Sequence, residues 1–219
     1  MGFINEKDKK VLSERLSKLE KPVKLIYFTQ EMECQFCKET HSLMEETAEL
    51  SDKITLEVKH FLHDKELADS YKVDKIPAIM VLGENDKDFG IRFFGIPAGY
   101  EFMSLLESME MVAKEDSGLS PASRETLKKL KDPLNLQVFV TPTCPYCPKA
   151  VVLAFRFAME SELVTSAMIE ATEFPALSNR YNVSGVPHTV IGDSMQPMVG
   201  AYPENAAMEM IAAAIGLEG

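Results

Sequence analysis

The sequence predicts an α/β protein built from two tandem units, each a mixed central sheet flanked by helices. Three observations carry that reading. The cysteines come as two pairs with two residues between, Cys34/Cys37 and Cys144/Cys147, offset by 110 positions. A proline behind a β-branched residue lies 43 positions after the first cysteine of each pair, at Ile76-Pro77 and Val186-Pro187. Helix-like and strand-like runs follow one another in the same order around both pairs. Two preserved spacings at one offset mark a duplicated unit.

The elements of the first copy follow from periodicity and punctuation. An amphipathic run ending at Pro22 predicts a helix over 5–20, and the apolar Leu25–Thr29 stretch a strand over 23–29. Helix 35–50, strand 54–59, helix 64–71, strands 78–82 and 90–94, and helix 98–114 complete the copy. The second copy repeats this as helix 121–131 ending before Pro133, strand 136–141, helix 145–161, strand 165–170 and helix 173–181. Strands 188–192 and 196–200 and helix 203–215 close it. The turn-rich segments 83–90 and 192–197 should each join two antiparallel strands. Residues 115–121 (EDSGLSP) have linker composition, with Ser120-Pro121 starting a helix, so the units are expected at 1–117 and 118–219.

Composition excludes several classes. With 46% hydrophobic and 26% charged residues, the chain can bury a core. No apolar run approaches the ~20 residues of a membrane span. The polar opening residues 1–10 do not resemble a secretory signal, so a cytoplasmic protein is expected. The net charge of −11 speaks against a nucleic acid or an anionic membrane as partner. Residues 1–118 hold 24 acidic and 16 basic side chains, against 10 and 7 in the remainder, so the first unit is the more acidic.

The paired cysteines carry the chemistry. With the first cysteine at a helix N-terminus and the second three residues on, ideal geometry puts their Cα atoms about 5 Å apart, inside the ~4.4–6.8 Å that a disulfide tolerates. Unpaired N–H groups and the positive helix end favour an anion at the first sulfur, by ~0.3–1 kcal/mol and up to ~2. Cys34 or Cys144 would attack a substrate disulfide as thiolate, and Cys37 or Cys147 would resolve the mixed disulfide. Glu31, Glu33 and Glu39 crowd the first pair, with Lys38 opposing them. Residues 141–149 around the second pair carry one lysine and no acid, so Cys144 is expected to be the more acidic thiol and the second site the more active.

Cys-Gln-Phe-Cys and Cys-Pro-Tyr-Cys each follow a strand, open a helix and precede an Ile-Pro or Val-Pro that begins a later strand. This arrangement resembles the thioredoxin fold, twice over, and Cys144-Pro145-Tyr146-Cys147 is similar to the glutaredoxin active-site motif. The full-length tandem with both pairs intact resembles the thermophilic protein disulfide oxidoreductases, or glutaredoxin-like proteins. The resemblance implies that Pro77 and Pro187 are cis and face their dithiols, with Ile76 and Val186 offering main-chain groups to an extended substrate. It implies protein disulfides and dithiols as substrates, a thioredoxin-reductase-like electron donor, and no cofactor beyond the redox-active disulfides. Glutathione-binding glutaredoxins carry Thr-Val-Pro and a Gly-Gly acidic motif. Gly185-Val186-Pro187 and Val199-Gly200-Ala201 depart from both, which speaks against glutathione as the specific reductant.

Other readings compete at particular residues. Each pair is half a zinc site, but the pairs are separated by 106 residues and no histidine stands at ligand spacing, so no metal is expected. His41, His60 and His63 read as structural or solvated, and His188 as a packing residue. Glu46 and Glu160, on the two active-site helices, are candidates for proton transfer to the deeper sulfurs. The methionines of residues 102–112 and 206–215 read as core filler. An electron-transfer module serving a peroxidase is the enzymic alternative. The tandem thioredoxin domain of alkyl hydroperoxide reductase flavoproteins has that role, although its first unit typically lacks cysteines. A non-enzymic binding or metal-holding module is the third reading.

Overall fold

A computed structural model describes residues 2–194 and 196–216. In the first half, α1 (Glu6–Leu16), β1 (Val23–Thr29), α2 (Cys37–Ala48) and β2 (Ile54–His60) are followed by α3 (Lys65–Ser70), β3 (Ala78–Leu82), β4 (Asp88–Phe94) and α4 (Glu101–Lys114). The second half repeats the order with α5 (Pro121–Leu127), β5 (Leu134–Val140), α6 (Cys147–Glu160) and β6 (Val164–Glu170). It ends in α7 (Pro175–Arg180), β7 (His188–Ile191), β8 (Met198–Val199) and α8 (Glu204–Ala214).

The strands join in one eight-stranded sheet, in the order β2-β1-β3-β4-β6-β5-β7-β8. Within each half the first two strands pair parallel and the third pairs antiparallel with the first. The seam is the parallel pair β4–β6, with Ile91 opposite Ser166 and Phe94 opposite Ile169. Gly90 makes that approach possible: at φ 74° it adopts the left-handed region, and a Cβ there would stand 2.7 Å from the Val164 carbonyl oxygen. Nothing in the sequence pattern announced this shared sheet.

One face of the sheet carries the larger core, packed under α1, α2, α4, α5, α6 and α8, in which Phe93 of β4 meets Phe155 of α6 edge to face at 5.0 Å. The other face is covered by α3, α7 and their flanking loops. Arg92 of β4 is almost fully buried on that side, where it forms a two-pronged bond to Asp88 and donates to the Tyr71 carbonyl.

Several element ends differ from expectation for identifiable reasons. Helices α1 and α5 stop four residues short of 20 and 131, at Leu16 and Leu127, because both last turns tighten into bonds three residues apart. Leu19 N–H donates to Leu16 and Leu130 N–H to Leu127, each ahead of a proline that cannot continue the helix. Strand β8 shrinks to Met198–Val199, while Met195, inside the expected turn, lies outside the described residues. The duplication extends to backbone detail: Lys72 and Asn182, 110 positions apart, both take positive φ just after α3 and α7.

Candidate redox sites at one edge of the sheet

Strands β1, β4, β5 and β6 run in one direction, so their C-terminal ends share one edge of the sheet. Both cysteine pairs lie on that edge, each after the leading strand of its half. Helices α2 and α6 begin at the second cysteine, Cys37 and Cys147, with Phe36 and Tyr146 as N-caps. Neither cap bonds through its side chain, so first-turn N–H groups remain available to a negative charge just ahead of the helix. Each pair is bonded as a disulfide, with Cα atoms 5.5 Å apart.

Burial ranks the sulfurs as exchange chemistry requires. Cys34 is half-buried against 3% exposure for Cys37, and Cys144 is 8% exposed against 0% for Cys147. The outer residue of each pair is thus the one a substrate meets first. Pro77 and Pro187 are buried and follow cis peptide bonds from Ile76 and Val186. Cys144 Sγ lies 3.8 Å from the Val186 carbonyl oxygen, which places that main chain beside the second disulfide. Gly95 and Gly200 N–H groups donate to the Pro77 and Pro187 carbonyls at 2.9 and 2.8 Å, so equivalent bonds hold both proline loops.

The surroundings differ. Glu31, Glu33 and Glu39 are exposed around the first pair, and Glu33, directly before Cys34, sits at φ 58°. Met32 stands 78% exposed between them. Beneath the pair, the buried Tyr27 hydroxyl donates to the Cys37 carbonyl at 2.6 Å, and burial pushes its pKa up to about 12. The second pair is rimmed instead by the exposed aromatic Tyr146, with Lys149 nearby in the chain.

Neither candidate proton-transfer glutamate reaches its sulfur. Glu46 is nine residues along the helix from Cys37, about 13 Å at 1.5 Å per residue, and its carboxylate accepts the N–H groups of Phe3 and Ile4. Burial opposes that charge, but these two bonds overcome it and hold the carboxyl below its usual range. Glu160 ends α6, about 20 Å from Cys147, and binds the Ser117 hydroxyl and Arg124. Both tie a helix end to the chain rather than serve a thiol.

The acids on this edge that do have perturbed chemistry are ones sequence spacing missed. Glu101 opens α4 of the first half and is 1% exposed. The N–H of its neighbour Tyr100 donates to the Pro142 carbonyl, two residues before Cys144, so the start of α4 is tied to the second site's approach loop. Burial raises Glu101 to about 7, only partly offset by the Ser104 hydroxyl bond, and its Oε1 has no partner. Glu173, after β6 of the second half, is also raised to about 7. Burial is the main cause, opposed by the Ile96 N–H bond and reinforced by Glu170 and Glu39.

The histidines pack against neighbouring side chains. His188 is 3% exposed with neither ring nitrogen bonded, and burial lowers its pKa, consistent with packing edge-on against Phe139. His60 and His63 stack on each other at 3.9 Å, and His41 pairs with Glu45 on α2. Among the described residues no group of three or more His, Cys, Asp or Glu side chains is placed to hold a metal ion. No helix there is long and apolar enough to cross a membrane.

Two helix-mouth disulfides, each beside a buried proline loop on a duplicated four-stranded unit, define a thiol–disulfide oxidoreductase of the thioredoxin type. Comparison with known proteins agrees. The thioredoxin domain family model matches residues 134–213. A protein disulfide oxidoreductase from Aeropyrum pernix superposes with a TM-score of 0.88 and 31% identity over 97% of this chain and 94% of that one. The structure of the alkyl hydroperoxide reductase AhpF from Enterococcus faecalis gives a TM-score of 0.87 and 28% identity over 96% of this chain and 100% of that one. The corresponding reductase protein of Staphylococcus epidermidis is 29% identical over 153 residues, 68% of this chain but 26% of its own length. The chain thus spans about a quarter of the curated relatives it matches. The chain belongs to the protein disulfide oxidoreductases built from two tandem thioredoxin-fold units.

Proposed function

We propose that the protein exchanges disulfides with protein substrates through both pairs, using only its own cysteine sulfurs, and that the second pair is the faster. The observation that carries this is the arrangement at Cys144: the outer sulfur of a closed pair, beside the Val186 carbonyl, with the exposed Tyr146 two residues on. In the reducing direction, the Cys144 thiolate attacks a substrate disulfide, forming a mixed disulfide and expelling one substrate thiolate. Cys147 then attacks Cys144. A Cys144–Cys147 disulfide forms, and the substrate leaves as a dithiol carrying the two electrons and two protons. Reversal oxidises a dithiol, and rebinding before release isomerises. Cys34 and Cys37 run the same steps in the first half.

An extended client segment would pair with the main chain at Val186, or at Ile76 in the first site. Electrons would come from a thioredoxin-reductase-like donor rather than from glutathione. A cytoplasmic setting suits this reading, because a glutathione poise of about −220 to −320 mV keeps accessible dithiols reduced. Reduction of insulin disulfides by a small dithiol tests the proposal. The chain should accelerate it, and a rate no greater than that of the dithiol alone would reject it. The likeness to the alkyl hydroperoxide reductase AhpF favours a second reading, in which the acceptor is the disulfide of a peroxidase. Faster reduction of a peroxidase disulfide than of insulin would select it.

A further inference from the structure

The loop ahead of the first dithiol carries a third sulfur that disulfide exchange does not use. Residues 30–33 join β1 to Cys34, one residue more than the 141–143 that join β5 to Cys144. Met32 lies in that loop two residues before Cys34, where the second half has Pro142. At 78% exposure it is the most exposed large apolar side chain among the described residues, so packing does not hold its thioether. Its main chain is held. The Gln30 side-chain amide donates to the Met32 carbonyl at 2.6 Å, and Glu33 turns the chain at φ 58° just before Cys34. Two peptide spacings keep the Cα atoms of Met32 and Cys34 within about 7 Å, and an unbranched, freely rotating side chain brings the thioether within reach of the Cys34 sulfur. The second half has no equivalent: Pro142 carries no side-chain donor atom, and its carbonyl is taken by the Tyr100 N–H.

We propose that the reduced first pair, together with Met32, binds one monovalent copper ion through two thiolates and one thioether. This goes beyond disulfide exchange but rests on the reading that Cys34–Cys37 opens to a dithiol. Thiolate and thioether are soft ligands of the kind that suit Cu(I). The closed pair already sets its Cα atoms 5.5 Å apart at the mouth of α2, so its sulfurs need little movement to part around a metal ion. A structural zinc ion asks for four ligands, and among the described residues no group of three or more His, Cys, Asp or Glu side chains supplies them. On binding, both thiols release their protons to solvent, the three sulfurs donate lone pairs to the metal, and no electron is transferred. Glu31, Glu33 and Glu39, exposed around the pair, attract the incoming cation without competing for it as soft ligands. The bound ion occupies the Cys34 sulfur, so the first site stops exchanging disulfides while the second continues.

The test uses the full chain with Cys144→Ser and Cys147→Ser, reduced without oxygen and titrated with Cu(I) against bicinchoninate, whose copper complex is coloured. One ion should bind per chain, about 10-fold or more tighter than to the chain with Cys34→Ser and Cys37→Ser. Met32→Leu, a size-matched change at an exposed position, should weaken binding by about 10-fold, and X-ray absorption should show the sulfur neighbours of copper falling from three to two. Equal affinity at the two pairs, or equal affinity with and without Met32, would overturn the proposal. A first pair that shows two free thiols to a chromogenic thiol reagent yet takes up no copper would overturn it and leave the dithiol reading standing. A pair that shows no free thiols after reduction would overturn both.

Discussion

The two sites share a backbone and differ in charge. Each sets its outer sulfur just ahead of an uncapped helix, its inner sulfur in the core, and a buried proline loop alongside. Around the first, three carboxylates stand exposed, at Glu31, Glu33 and Glu39. Around the second, residues 141–149 carry no acid, and the buried Glu101, whose neighbour Tyr100 bonds the Pro142 carbonyl, stays largely neutral up to about pH 7. The helix mouth makes an ionisable dithiol possible. The charge of the surrounding side chains is where the two part.

The sharpest way to break the comparison is to stop resolution at one site. Cys147→Ser should trap a client on Cys144 as a mixed disulfide visible on a non-reducing gel, and lower turnover on the order of 100-fold. Cys37→Ser should lower it far less. Equal losses from the two substitutions would mean that the sites are equivalent.

Glu101 provides the next largest effect, on stability. Its folded pKa of about 7 lies above the ordinary value of 4.5, so the unfolded chain releases this proton first as pH rises. The stability due to the neutral form is complete below about pH 4.5, falls through the interval, and is gone above about pH 7. The loss is roughly 3 kcal/mol at 1.36 kcal/mol per pH unit. Urea melts at pH 5 and pH 8 should therefore differ less in Glu101→Gln than in the unchanged protein, whatever the absolute stability of the variant.

Removing charge at the first site should bring the two together. The triple substitution Glu31→Gln, Glu33→Gln, Glu39→Gln should raise Cys34 alkylation at neutral pH by about 3- to 10-fold and leave Cys144 unchanged. The smallest effect expected is that of Tyr27→Phe. It removes the 2.6 Å bond to the Cys37 carbonyl, and thermal melting should register a loss of about 1–2 kcal/mol with the second site intact.

Much of this was legible in the sequence because the dithiol motif is local. Cys34/Cys37 and Cys144/Cys147, the alternation of elements and the prolines 43 residues on depend on spacing along one chain segment. What escaped depends on contacts between segments. The β4–β6 seam gives no alternating pattern that names its partner, and Gly90 reads as a turn residue until Val164 is opposite it. Glu46 and Glu160 drew attention because they share helices with the cysteines, but helical rise carries them away along those helices. Glu101 and Glu173 drew none, since only the shared sheet joins the start of α4 to the loop before Cys144, and Glu173 to Ile96 of the first half. A buried acid at a helix start and another just past a strand end give no signal in composition.

The central claim is that duplicated helix mouths carry two exchanging dithiols, and that the second ionises more readily. Its most direct measurement is the pH dependence of alkylation of Cys144 in a Cys34→Ser, Cys37→Ser chain against that of Cys34 in a Cys144→Ser, Cys147→Ser chain. The account predicts that Cys144 reaches half its limiting rate at the lower pH. A lower midpoint at Cys34, or rates at both cysteines no different from those of an unfolded peptide thiol, would contradict it.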